Sequence, residues 1–121
     1  MAKTLGIIDL TWRGVLLPVE TKTAKLKLGG MKSSPVILNR RVDYAQDFEP
    51  SEIDATIVLE AGTSLLDLFD GTPGELQCVC DTGQTYIFPT AVISVRPEAT
   101  AGEGGKVPIK WFDGDPLELV K

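Results

Sequence analysis

The chain contains no histidine, and so lacks the commonest general base near neutral pH and the commonest nitrogen ligand for zinc, copper and iron. Its only cysteines, Cys78 and Cys80, stand one residue apart with no third thiol to complete a zinc site. No apolar run approaches the ~20 residues needed to cross a bilayer. The opening MAKTLGIIDLTWRG, with one early lysine and an interrupted apolar run, does not read as an export signal. Free thiols in a reducing compartment are therefore the expectation. Basic residues are also scarce: 12 Lys and Arg face 17 Asp and Glu, for a net charge of −5. That balance disfavours a protein that grips nucleic-acid phosphates. Arg40 and Arg41 form too small a basic pair, too close to Asp43 and Asp47, to act as such a patch.

What is present points to β structure. At 121 residues the chain makes one domain, residues 1–121. Glycine and proline punctuate it at short intervals, and the segments between are rich in Val, Ile, Thr, Tyr and Phe. Residues 16–28 read as a short hairpin region, with Ala24, Leu26 and Leu28 alternating against Lys25 and Lys27. The stretch SEIDATIVLE alternates Ile53, Ala55, Ile57 and Leu59 with Asp54, Thr56, Val58 and Glu60, the clearest strand in the chain. Thr63 or Ser64 can cap a short helix that sets Leu65, Leu66 and Phe69 on one side and stops at Gly71. GELQCVCD, QTYIFPTAVISVRP with a bend or bulge at Pro89, and KVPIKWF complete the strands. EATAGEGGK is a glycine-rich turn. Residues 29–51 read as a long loop, of the kind that is functional or binds a neighbour. Residues 113–121 read as a C-terminal tail.

One stretch invites a chemical reading. QCVCDTGQTY holds both thiols and an Asp-Thr-Gly, the tripeptide that carries the catalytic aspartate of retropepsin-like aspartic peptidases. In those enzymes the tripeptide comes early, after an apolar run, and two chains bring two aspartates together; here it falls two-thirds along, with no second apolar motif. The alternative is a strand with Cys78 and Cys80 buried beside Leu76, then a tight turn through Asp81, Thr82 and Gly83. A further alternative is a small monomeric β-barrel that binds a peptide or carbohydrate. No motif calls for a cofactor.

Four segments in order, KLKLGGMKSSP, YAQDFEPSEIDATI, CDTGQTYI and TAGEGGKVPIKWFDG, together resemble the tail tube proteins of contractile-tailed, Mu-like phages and related tailocins. The resemblance implies a mainly β, antiparallel sandwich-like or barrel-like subunit with one short flanking helix and no catalysis. It implies hexameric rings stacked into a tube inside a contractile sheath, with DNA passing through without specific binding. Sheath, tape-measure, baseplate and tail terminator proteins are the implied partners, and no membrane. The implied place is the virion tail, after synthesis in the bacterial host cytoplasm.

Two expectations about surfaces follow. A bore that passes DNA must not bind it, so the polar strand faces carrying Asp54, Thr56, Glu60, Glu75, Gln77 and Asp81 are the candidate lumen lining. If Lys106 and Lys110 share that lining, neighbouring carboxylates must offset them. Contacts between rings fall to the 29–51 segment, with Met31, Lys32, Arg40, Arg41, Asp43, Tyr44, Asp47 and Phe48 as candidates.

Overall fold

The computed structural model describes residues 1–20, 22–62, 64–102 and 104–120. Ten strands and one helical turn are assigned among them: β1 (Ile8–Trp12), β2 (Val15–Leu16), β3 (Lys25–Lys27), β4 (Gly30–Leu38), β5 (Arg41–Glu49), β6 (Ser51–Val58), α1 (Leu65–Leu68), β7 (Gly74–Cys80), β8 (Gln84–Ile93), β9 (Lys106–Asp113) and β10 (Leu117–Val120). Every pairing is antiparallel. One layer runs β2-β1-β7-β8 with β10 on the far side of β8, and the other runs β8-β9-β6-β3. Strand β8 therefore belongs to both. Its first half pairs with β7 and β10, and its end, Val92 and Ile93, pairs with β9.

The crossing is enabled at Pro89. Between the pairs Leu76↔Phe88 and Gly74↔Ala91 the register slips, with three steps on β8 opposing two on β7. Proline cannot donate to the ladder, so it sits where the ladder is already broken and the strand bends.

The two layers close on a single core. Leu10, Trp12, Leu76, Cys78 and Phe88 from one face Ile53, Ala55, Ile57, Val107, Ile109 and Trp111 from the other. The alternation in β6 is strict, with Ser51, Ile53, Ala55 and Ile57 buried and the residues between them partly exposed. Trp12 and Trp111 meet across the layers at 5.8 Å between ring centroids. Each large side chain so buried is worth about 1.5–3 kcal/mol in area removed from water.

Short α1 closes one end. Ser64 Oγ accepts from the Asp67 amide at 3.3 Å as the N-cap, and the Trp12 indole N–H donates to the Leu68 carbonyl. Thr63, the other candidate cap, and Glu103 in the glycine-rich turn lie outside the described residues. Phe69, just past the helix, is fully buried, whereas Leu66, expected beside it, is 74% exposed, as is Leu59 at 37%. The helix is a single turn, so Leu65 and Leu68 pack partly against the core, Phe69 just beyond it is buried, and Leu66 points to solvent.

Three readings of the sequence need correction. The 29–51 loop is a β-hairpin, β4 paired with β5 over its whole length. The 113–121 tail contains β10, which pairs with Gln84–Ile87 of β8. There the Glu118 carboxylate opposite Tyr86, aided by burial, pushes the phenol up to about 12. The hairpin expected within 16–28 lies earlier, where β1 and β2 turn at Arg13 and Gly14, both at positive φ. The chain then crosses layers, and β3 pairs with β6.

Candidate functional site

The DTGQ turn is structural. Gly83 takes φ 100° and its amide donates to the Cys80 carbonyl at 3.2 Å. The Asp81 carboxylate accepts from the Gly6 amide at 3.2 Å and lies 3.9 Å from Lys3 Nζ. Those amide bonds, with the Lys3 charge, hold its carboxyl below the usual range, so it anchors the N-terminal segment as a fixed anion. Behind it Cys78 and Cys80 turn inward as free, buried thiols. Burial pushes Cys78 up to about 12, which keeps the thiol protonated and unreactive. Among the described residues no group of three or more His, Cys, Asp or Glu is placed to hold a metal ion.

The candidate lumen residues separate into groups. Asp54 and Thr56 lie on the outer face of β6, while Glu75 and Gln77 lie on the outer face of β7. Since both strands turn their buried residues to the shared core, these outer faces point away from one another. Glu60 follows β6 at its far end, and Asp81 sits in the β7–β8 turn. No single surface of one subunit carries all six.

The faces differ in charge. On the β3-β6-β9 layer Lys25, Asp54 and Lys110 form a cross-strand row. Lys110 pairs with Glu52 at 3.8 Å and Lys106 with Glu20 at 3.4 Å. The β1-β7-β8 face shows Asp9, Thr11, Glu75 and Gln77 outward; the one basic residue beside them, Arg13, whose amide donates to the Glu75 carbonyl at 2.9 Å, turns its guanidinium to Asp70. Gln77 Nε2 donates to Glu75 there at 2.6 Å.

The hairpin β4–β5 is the longest exposed element. Its register places Met31 opposite Phe48, Ser33 opposite Gln46, Pro35 opposite Tyr44, and Ile37 opposite Val42, all on one face. The other face pairs Lys32 with Asp47, Val36 with Asp43, and Leu38 with Arg41. The first face is apolar and uncovered by this chain: Ile37 is 73% and Tyr44 72% exposed. The candidates named from sequence divide accordingly, with Met31, Tyr44 and Phe48 on the apolar face, Lys32, Arg41, Asp43 and Asp47 on the polar one, and Arg40 in the turn. Sequence reasoning missed Pro35, Ile37 and Val42, although their i, i+2 spacing with the named residues was a usable signal.

The hairpin is held only at its base. Ser51 Oγ accepts from the Gly29 amide at 2.7 Å and donates to the Gly114 carbonyl at 2.8 Å. Gly29 passes so close that an added Cβ would lie 2.4 Å from the Ser51 nitrogen. Lys27 and Lys32 both reach Glu49, at 3.9 and 3.5 Å.

The described residues form a β-sandwich that carries an uncovered amphipathic ribbon, an architecture that offers surface for assembly. Over residues 1–118 the chain matches the family model described as "Phage tail tube protein". It belongs to the phage tail tube family, and is a tail-associated structural protein and virion component. The resemblance read from the sequence holds.

No curated protein matches it in sequence. A chain in the cryo-EM structure of an extracellular contractile injection system, the PVC sheath/tube terminator in extended state, superposes with a TM-score of 0.72 at 8% identity, covering 99% of this chain and 98% of that one. Another, from the cryo-EM structure of the anti-feeding prophage cap (AFP tube terminating cap), gives 0.68 at 7% identity over 94% of this chain and 88% of its own. At such identities the shared property is the fold, mainly antiparallel β with one short helix. Among the described residues no helix is long and apolar enough to cross a membrane.

Proposed function

We propose that the chain is the repeating subunit of a tail tube, with six copies closing a ring and rings stacking into a hollow tube inside a contractile sheath. The observation that carries this reading is the hairpin: a face spanning nine-residue strands, apolar except for Ser33 and Gln46, offered to solvent on a base fixed by part-buried hydrogen bonds. A contiguous uncovered face of that kind is an interaction surface or an aggregation hazard, and self-assembly makes it the former. The sheath, tape-measure, baseplate and tail terminator proteins are the other partners, and DNA slides through the bore unbound during ejection. Synthesis takes place in the host cytoplasm.

Of the two outer faces, the β1-β7-β8 face with Asp9, Glu75 and Gln77 suits the bore, because its carboxylates face no free cation: the one nearby, Arg13, is turned to Asp70. The β3-β6-β9 face, with Asp54 and Thr56 among paired lysines, suits the outside of the wall.

Size-exclusion chromatography with negative-stain imaging tests the assignment. Wild type gives rings or tubes. Deleting Met31–Asp47 leaves a folded domain that forms no long tubes. A wild-type chain that stays monomeric at all concentrations, or a deletion that polymerises to normal length, overturns the proposal.

A further inference from the structure

Where the hairpin tip goes can be argued from the rest of the surface. The tip carries Ile37 and Val42 on its apolar face, Arg40 in the turn and Arg41 next to it on the reverse face, where it pairs with Asp43 at 3.4 Å; all are exposed, and Arg40 is the cation in the turn itself. A seat for it needs an apolar floor with carboxylates and no competing cation.

Of the four principal grooves, three include lysine in their lining: Lys22 in one, Lys25 and Lys110 in the second, Lys3 and Lys25 in the third. The fourth, of about 570 Å³, is floored by Val15, Leu16, Pro18 and Leu68 and rimmed by Glu60 and Asp67; none of its described lining residues is basic, and the neighbouring Arg13, which donates to the Asp67 carbonyl at 3.5 Å, is itself paired with Asp70. Val15 is 46% and Leu16 67% exposed, so apolar surface there is uncovered. The groove matches the tip in both chemistry and sign.

Position agrees with chemistry. The hairpin is rooted at Ser51, where β6 begins. The groove lies at the other end of that strand, where the Val58 amide donates to the Pro18 carbonyl at 3.0 Å and Glu60 follows. The ~25 Å length of an eight-residue strand separates the hairpin's root from the groove, and the nine-residue ribbon, continuing the β3–β6 register past that root, carries the tip farther away still. One copy cannot fill its own groove through this geometry, but a chain of copies can fill one another's, a heterologous contact that repeats without closing.

We infer that the hairpin tip of one copy seats in the β2–α1 groove of a copy in the next ring, with Arg40 and Arg41 against Glu60 and Asp67 and with Ile37 and Val42 on Val15, Leu16 and Leu68. This contact rests on the tube reading and supplies its axial join.

Charge exchange tests it. The tip variant Arg40→Glu/Arg41→Glu and the groove variant Glu60→Arg/Asp67→Arg each set like charges together, so mean tube length falls by about tenfold or more. Mixing the two variants, or combining all four changes in one chain, restores the opposite-sign contact and the length. Bismaleimide cross-linking of Ile37→Cys copies mixed with Leu16→Cys copies gives a dimer band absent when either is used alone. If wild type forms tubes but the charge exchange does not restore length and the cross-link does not form, the groove is not the seat while the tube reading stands. If wild type forms neither rings nor tubes, both fall together.

Discussion

Trp12 and Trp111 touch, are equally buried, and differ in one hydrogen bond. The Trp12 indole N–H donates to the carbonyl of Leu68 at the end of α1. The Trp111 indole N–H is buried with no partner among the described residues. Replacing either by Phe removes similar apolar area, yet the first change strands a carbonyl and the second removes an unmet donor. Trp12→Phe is expected to cost about 1–2 kcal/mol more than Trp111→Phe in urea unfolding. Equal costs would show that the α1 tether contributes nothing. A second residue-level lock is Arg13, which reaches the Asp70 carboxylate at 2.9 Å while its guanidinium lies over the Trp12 ring. The Arg13 bond, seconded by the Thr72 hydroxyl and amide, holds Asp70 well below the usual carboxylate range. A depressed carboxyl adds stability above its unfolded pKa that is lost as pH falls through the folded one. Asp70→Asn should therefore make the loss of stability below pH ~4 shallower than in wild type, read as urea midpoints across that range.

The elements differ in how openly the sequence declares them. β6 is visible because one face is buried and the other wet, which writes a two-residue period into SEIDATIV. The hairpin hides because this chain buries neither of its faces, so the alternation of Val42, Tyr44 and Phe48 is diluted by Gln46 and by charges on the reverse. Its turn adds to the disguise: Asn39 adopts φ 58°, but Arg40 follows where a glycine would have signalled a two-residue hairpin loop. β10 is short and fully exposed, and only its pairing with β8 marks it as a strand. For the candidate lumen residues, strand phase was legible in Asp54 and Glu75, but which layer each strand joins depends on pairings between distant segments. The hairpin base makes its own prediction. Ser51→Ala leaves the Gly29 amide and the Gly114 carbonyl unmet, at about 1–3 kcal/mol. Gly29→Ala forces backbone apart, and hydrogen exchange should then quicken in residues 30–49 while β6 and β9 stay protected. Uniform quickening would show that hairpin and core unfold together.

At the scale of the whole molecule, the choice of inner face is a statement about friction. In the proposed tube, with Asp9 and Glu75 turned to the bore, a duplex would be repelled and would slide. Asp9→Lys/Glu75→Lys tubes should retain DNA at low ionic strength and release it as salt rises. Lys25→Glu/Lys110→Glu should leave passage unchanged, and the reverse pattern would exchange the two faces. Asp9 and Glu75, far apart in sequence, meet on one wall because β1 pairs with β7, and that layer is tied to the other by a single shared strand. In most sandwiches the layers are joined by side-chain packing and connecting loops, so a sideways push on one is resisted by contacts that can slip. Here β8 passes from one layer into the other through the Pro89 bend as continuous covalent chain. Shear between the two skins of such a wall is borne as tension along a backbone, which would suit the proposed tube if it must stay rigid while a sheath around it shortens.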